Sequence, residues 1–352
     1  MDKKKGTFEF FYSFFMLLFG FGMILSFIVF VIGMIILINF TFIYATIALI
    51  IILFGIFKGI FTKRDEGYEI ELKAKDSKKL DNVIEKITKK TGLKKPHKII
   101  LVEDSMIAVS GLYRKKLIIG LATLQFLSED ELMAIIAHEY GHFLKKDTIL
   151  GYLNYRIMNF IEIQKQINKE NLGPDFGIII HLPTWIFFWL FSRYYSLISL
   201  WYSRRVEFRA DNIASEIVGE RNFANALVKY CVISEIFEDI VPKSVLHYLE
   251  EGKGIVNLYD FIKPIYTKDN IEKSFEFCLS PKSSWWSTHP SISERLEALE
   301  IESVNLKITS KGINLIGNQE DYEKEASNIM TQKYAYWKQL MEIPYQQEEQ
   351  QE

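Results

Sequence analysis

From Tyr12 to Phe57 the chain carries no charged side chain, a run of 46 residues. A helix rises about 1.5 Å per residue and needs about 20 residues to cross a hydrocarbon core about 30 Å thick. The run therefore holds two spans. Asn39 and Thr41 interrupt it near the middle, which predicts a hairpin with one helix over roughly 11–36 and a second over roughly 40–60. A secretory signal has an apolar stretch of only about 7–15 residues before its cleavage site, far shorter than this run. Lys3, Lys4 and Lys5 precede the hairpin, Lys58, Lys63 and Arg64 follow it, and its turn is uncharged. Both basic flanks should stay in the cytoplasm. The expectation is a multi-pass integral protein of a bacterial-type plasma membrane, with everything after residue 64 starting on the cytoplasmic side.

Over its full length the chain is balanced, with 42 Lys and Arg against 44 Asp and Glu, so it lacks the basic excess that nucleic acid binding needs. The two cysteines, Cys231 and Cys278, form no Cys-x-x-Cys pair, and neither a disulfide framework nor a Cys-rich zinc cluster is expected. A metal would have to be held by His and carboxylate. Leu80, Val83, Ile84 and Ile87 recur at helical spacing within the charged stretch 65–98, which predicts a surface helix. Ile99–Val102 and Leu117–Leu121 read as strands of a small sheet. A second apolar region, Phe176 to Tyr202, contains His181, Pro183 and Arg193, and the aliphatic and aromatic residues around Arg193 can outweigh its cost in a third span. Ile149–Ile161 is its weaker partner, a packed or re-entrant helix being nearly as compatible with Asn154, Arg156 and Asn159.

Ser128-Glu129-Asp130-Glu131 forms a capping box, with Leu127 and Leu132 as the flanking apolar pair. A helix from Glu129 to about Lys146 follows, acidic at its start and basic at its end as the helix dipole favours. Within it stands His138-Glu139-Tyr140-Gly141-His142. Imidazoles four residues apart share one helix face and can bind one metal ion, while Glu139 projects beside the metal and can serve as general base. Zinc at a catalytic site needs a third protein ligand and an open fourth position. In Ser203-Arg204-Arg205-Val206-Glu207-Phe208-Arg209-Ala210-Asp211, two acids are again four apart. Glu207 can supply the third ligand, and Asp211 can accept the second ring N–H of His138. Taken alone, the same two acids also read as an exposed pair partnered by Arg205 and Arg209.

These residues resemble the HtpX-like and CAAX prenyl protease family of integral-membrane zinc metallopeptidases. The resemblance covers roughly residues 80–300, through Leu132–His142, Asp147, Ser203–Asp211, and Thr288-His289-Pro290 with Arg295-Leu296. It implies that the first Glu of the Glu-x-x-x-Asp motif, here Glu207, is the third ligand of a gluzincin-type site. It also implies that His289 can lie near the cleft and hydrogen-bond the developing oxyanion; the alternative is a loop residue ahead of the capping box Ser291–Glu294. Ile107-Ala108 stands where the family commonly has an Asn-Ala pair. Arg295 reads as a structural ion-pair partner, and His97, His181 and His247 as ordinary polar residues.

The expected fold is mainly α with a small β-sheet, a zincin-like metalloprotease domain, plus transmembrane helices. A membrane hairpin (1–64) precedes a metallopeptidase domain (65–302), which apolar helices within 149–202 interrupt, and an extension (303–352) follows. That extension reads as a short strand pair and a helix from about Glu320 to Met341. The expected function is a membrane-bound endopeptidase with one zinc ion per chain, acting on membrane or misfolded proteins, with lipid bilayer and peptide substrates as partners. A dedicated processing protease, such as one trimming prenylated C-termini, and a zinc-bound scaffold without turnover are the alternatives.

Overall fold

The computed structural model describes residues 3–37, 69–111, 114–143, 147–172, 177–280, 289–308 and 315–333. The second span expected over 40–60 lies outside the described residues. Contacts divide the chain into two units, one of residues 1–66, 145–206 and 284–289, the other of 67–144, 207–283 and 290–352.

The first unit is helical. Helix α1 (Lys3–Leu37) contains the apolar stretch Phe10–Gly33, the one segment among the described residues long and apolar enough to cross a membrane. One side of α1 packs on α5 (Asp147–Glu170) and α6 (Gly177–Val218), where Leu17 and Ile24 meet Ile157, Phe160, Phe188 and Tyr195. Gly20 makes this approach possible, since a Cβ there would lie 2.8 Å from the Tyr195 ring. The other side leaves Phe11, Phe15, Leu25 and Phe30 each more than 60% exposed. A helix in a water-soluble core would bury these side chains; this one leaves them exposed as a contiguous apolar surface. Pro183 and His181 sit in the early turns of α6, and His181 Nδ1 meets Asn168 Oδ1 at 2.9 Å, which accounts for it as a satisfied polar residue.

The second unit is built on β1 (Ile70–Glu71), α2 (Lys78–Thr91), β2 (Lys98–Val102), β3 (Ile107–Ser110), β4 (Lys116–Gly120), a single turn α3 (Leu121–Leu124) and α4 (Glu129–Gly141). The sheet order is β1-β2-β4-β3, with β2 and β4 parallel and the outer pairings antiparallel. The amphipathic stripe predicted for 65–98 forms α2, with Leu80, Val83, Ile84 and Ile87 all buried. After α6 come α7 (Glu220–Glu235), a π-helical turn (Ile236–Ile240), α8 (Val241–Glu250), α9 (Leu258–Ile262), a 3₁₀ turn (Lys263–Ile265), α10 (Lys268–Leu279) and α11 (Ile292–Ala298). Of the stretch 236–286, in which the sequence suggested no element, the described residues 236–280 are thus largely helical.

Two expectations need correction. Cys231 on α7 and Cys278 on α10 are disulfide-bonded across 47 residues; linear spacing excluded a local Cys pair, but the packing of α10 on α7 brings distant residues together. In the extension, the described residues 301–308 carry no strand, and the last helix among the described residues, α12, spans 319–333; residues 309–314 and the expected continuation to Met341 lie outside the described residues. Its Tyr322 and Ala326 are buried in the main core. Glu323, also buried, accepts hydrogen bonds from Gln125 at 2.6 Å and Asn257 at 3.0 Å.

Candidate metal centre

Helix α4 begins where the sequence places it. The Ser128 hydroxyl accepts from the Glu131 amide and the Glu131 carboxylate accepts from the Ser128 amide. Glu131 also receives Lys229 of α7 at 2.8 Å, so the start of α4 is tied to α7 by a largely buried ion pair. The helix ends earlier than its charge pattern suggested, at Gly141, with His142 as its C-cap. A close helix contact explains the glycine. A Cβ on Gly141 would stand 2.8 Å from the Ala210 Cα, and Ala210 lies between Glu207 and Asp211 on α6. Only a residue without a side chain lets the turn between the two histidines come this near to the helix bearing the acids.

That approach brings the candidate ligands together. Single ligand atoms of His138, His142 and Glu207 lie within 4.8 Å of one another. His138 Nε2 is 3.5 Å from Glu207 Oε2, and His142 Nε2 is 3.8 Å from Glu207 Oε1. Tetrahedral zinc with bonds of about 2.0–2.1 Å separates its ligand atoms by about 3.4 Å. Two imidazoles and a carboxylate at this spacing fit a catalytic zinc site. Glu207 and Asp211 are both buried, which rules out the exposed acidic pair.

Asp211 Oδ1 is 2.9 Å from His138 Nδ1, so the ring donates there and Nε2 is left for the metal. Phe223 of α7 stacks against the same ring, with centroids 5.9 Å apart and planes 18° apart. Burial works against the Asp211 charge, but hydrogen bonds from His138 and Arg295 outweigh it and hold this carboxyl below the usual range. In the metal-free site, burial pulls His138 down while hydrogen bonds to Asp211 and Glu207 win, raising it to about 9. Burial, helped by the neighbouring His138 charge, pushes His142 down to about 4.

Glu139 is not part of the ligand cluster. Burial raises its pKa, partly offset by the His138 charge and by a hydrogen bond from the Val109 amide of β3. That amide lies on the outer edge of the sheet, next to the Ile107 amide, which donates to Tyr230 Oη at 3.1 Å. His289 is exposed, in the turn ahead of α11, and belongs to the first unit. His247 is exposed, 3.6 Å from Glu251.

The sequence reading assigned Arg295 an ion pair without its partner. The structure places its guanidinium against Asp211, Nε to Oδ2 at 2.8 Å and Nη2 to Oδ1 at 2.5 Å. The one available signal was Arg295 standing shortly after Thr288-His289-Pro290; the pairing spans 84 residues.

Residues 74–303 match the profile of peptidase family M48. Protease HtpX of Acinetobacter baumannii (strain AYE) is 26% identical over 209 residues, covering 56% of this chain and 58% of that protein. The match thus spans a little over half the relative's length. Protease HtpX of Pseudomonas putida (strain F1) is 25% identical over 229 residues, covering 61% of this chain and 68% of that protein. Among solved structures, S. mikatae Ste24p is similar, with 16% identity, a TM-score of 0.37, and coverage of 85% of this chain and 66% of that one.

Proposed function

The chain belongs to peptidase family M48, and on that premise we propose that it is a membrane-anchored zinc endopeptidase that cleaves peptide bonds in membrane or misfolded proteins. The observation that carries the reading is the separation of roles along α4. His138 and His142 converge with Glu207, while Glu139 stands beside them with a burial-raised pKa. A purely structural zinc site needs no such carboxylate, which favours turnover over a scaffold.

His138, His142 and Glu207 would hold one zinc ion, which when bound polarises the substrate carbonyl and acidifies a water molecule. Glu139 accepts the proton of the attacking water at a carboxylate oxygen and passes it to the nitrogen of the leaving amine. Burial raises its pKa, which makes this carboxylate a better proton acceptor than an exposed one. The Val109 amide holds the same carboxylate at the sheet edge. Asp211 keeps the His138 proton on Nδ1 throughout. His289 is assigned the oxyanion contact on family resemblance. Helix α1 anchors the enzyme through its exposed aromatic face, and the basic flanks of the hairpin put the catalytic unit on the cytoplasmic side.

Glu139→Gln tests the assignment, since it keeps size and helix propensity while removing the proton acceptor. The variant should retain zinc and lose about 10⁴-fold or more in cleavage of an unfolded membrane protein, at or beyond the upper end for a general acid–base group. Cleavage at near-parent rate would remove Glu139 from the mechanism.

A further inference from the structure

We infer that Arg295 is a positioning residue of the metal centre, whose guanidinium fork fixes Asp211 against His138 and thereby sets the direction in which His138 offers Nε2. Asp211 is 1% exposed, so bulk solvent does not set the orientation of its carboxylate. Its two oxygens are committed instead. Oδ1 receives His138 Nδ1 at 2.9 Å and Arg295 Nη2 at 2.5 Å, and Oδ2 receives Arg295 Nε at 2.8 Å. A two-point contact of this kind resists rotation of the carboxylate about its own axis, which a single-point contact does not. Arg295 is itself held in place. Ser291 and Glu294 cap α11 at its start, and the next residue, Leu296, is buried against Ala224 and Val228 of α7. That is the helix whose Phe223 stacks on His138. Ring stacking and carboxylate orientation therefore share one support.

Charge alone offers a competing account. The two positive charges of zinc and the one of Arg295 balance the carboxylates of Glu139, Glu207 and Asp211, and any cation at this position would preserve that balance. Lysine separates the two accounts, because it keeps the charge and loses the planar fork.

The inference rests on the zinc reading given above, and the test separates the two. Metal-free parent and variants are titrated with zinc against a chromophoric chelator, and with cobalt to read the visible absorption bands, which report ligand geometry. Arg295→Lys should weaken zinc binding about tenfold, the lower end of the effect of removing an outer-shell partner, and should shift the cobalt bands. A residue that merely holds the fold would lower the unfolding midpoint of the metal-free protein and leave both readouts unchanged. Asp211→Asn combined with Arg295→Met leaves no lone buried charge, which guards against misfolding. It should lose no more zinc affinity than Asp211→Asn alone, since both short contacts of the fork are to Asp211 and its approach to Glu207 is longer, at 3.8 Å. Parent-like affinity and spectrum in Arg295→Lys, or a further loss in the double variant beyond the single one, overturns the inference. A parent protein that takes up no zinc overturns the metal reading, and this inference with it.

Discussion

His138 and Glu139 are adjacent in sequence and are put to opposite uses by the helix. Successive residues point about 100° apart on a helix of 3.6 residues per turn, so one faces Glu207 while the other stands beside the cluster. The His138–Asp211 contact has a consequence for pH. With its pKa held near 9 in the metal-free site, His138 carries a proton at pH 7, whereas His142, pushed down to about 4, does not. Zinc would have to displace the proton on His138 Nε2, while the one on Nδ1 stays with Asp211. Affinity should rise roughly tenfold per pH unit up to about pH 9 and level off above it. Calorimetry at pH 7 in buffers of different ionisation heat should show release of about one proton from this group; release near zero would mean that His138 is neutral before the metal arrives. The stability sign follows from the same shift. A histidine whose folded pKa is raised stabilises the metal-free protein fully below its unfolded value of about 6.5, and the contribution is lost as pH rises through about 9.

At the scale of elements, the centre is made by three helices that no local pattern connects. Helix α4 brings the two histidines, α6 the two acids, and α11 the arginine. Their mutual fit depends on packing, most visibly at Gly141 against Ala210. Helix α12 contributes differently. It closes the core of the second unit with Tyr322 and Ala326 and supplies Glu323 to the otherwise buried Gln125. Tyr322 also bonds Asp76 at 2.9 Å, and Lys333 pairs with Glu103. Truncation before Leu315 should therefore do more than shorten a tail. It exposes apolar core and strands buried polar groups, each costing about 1–3 kcal/mol, so a shift of the detergent-solubilised protein to lower unfolding temperature and into aggregates is expected. A truncated protein melting with the full chain would show α12 to be dispensable.

For the molecule as a whole, the apolar start of the chain and the charge on its flanks decide topology. Reporter tags inserted after Lys5 or after Arg64 should both register cytoplasm, because neither basic flank is expected to cross; a tag after Arg64 detected outside would reverse the orientation. The Cys231–Cys278 bond bears on the same question, since disulfides are uncommon in a reducing compartment. Thiol titration of protein from cells grown with and without a membrane-permeant reductant reads its state directly.

Much was legible from residues in order. The length of an uncharged run reports a membrane helix, since hydrocarbon thickness sets a minimum number of residues; α1 spans Lys3–Leu37 where the pattern predicted roughly 11–36. The capping box at Ser128 and the four-residue spacings of His138 with His142, and of Glu207 with Asp211, were equally visible, because helix periodicity is local. What remained hidden has one physical cause: it depends on side chains far apart in sequence meeting through packing. Cys231 meets Cys278 across 47 residues, Asp211 meets Arg295 across 84, and Gln125 meets Glu323 across 198. No spacing rule spans such distances, so the candidate ligands and Asp211 were readable from two short motifs, while the partner of Arg295 was decided only by the tertiary fold.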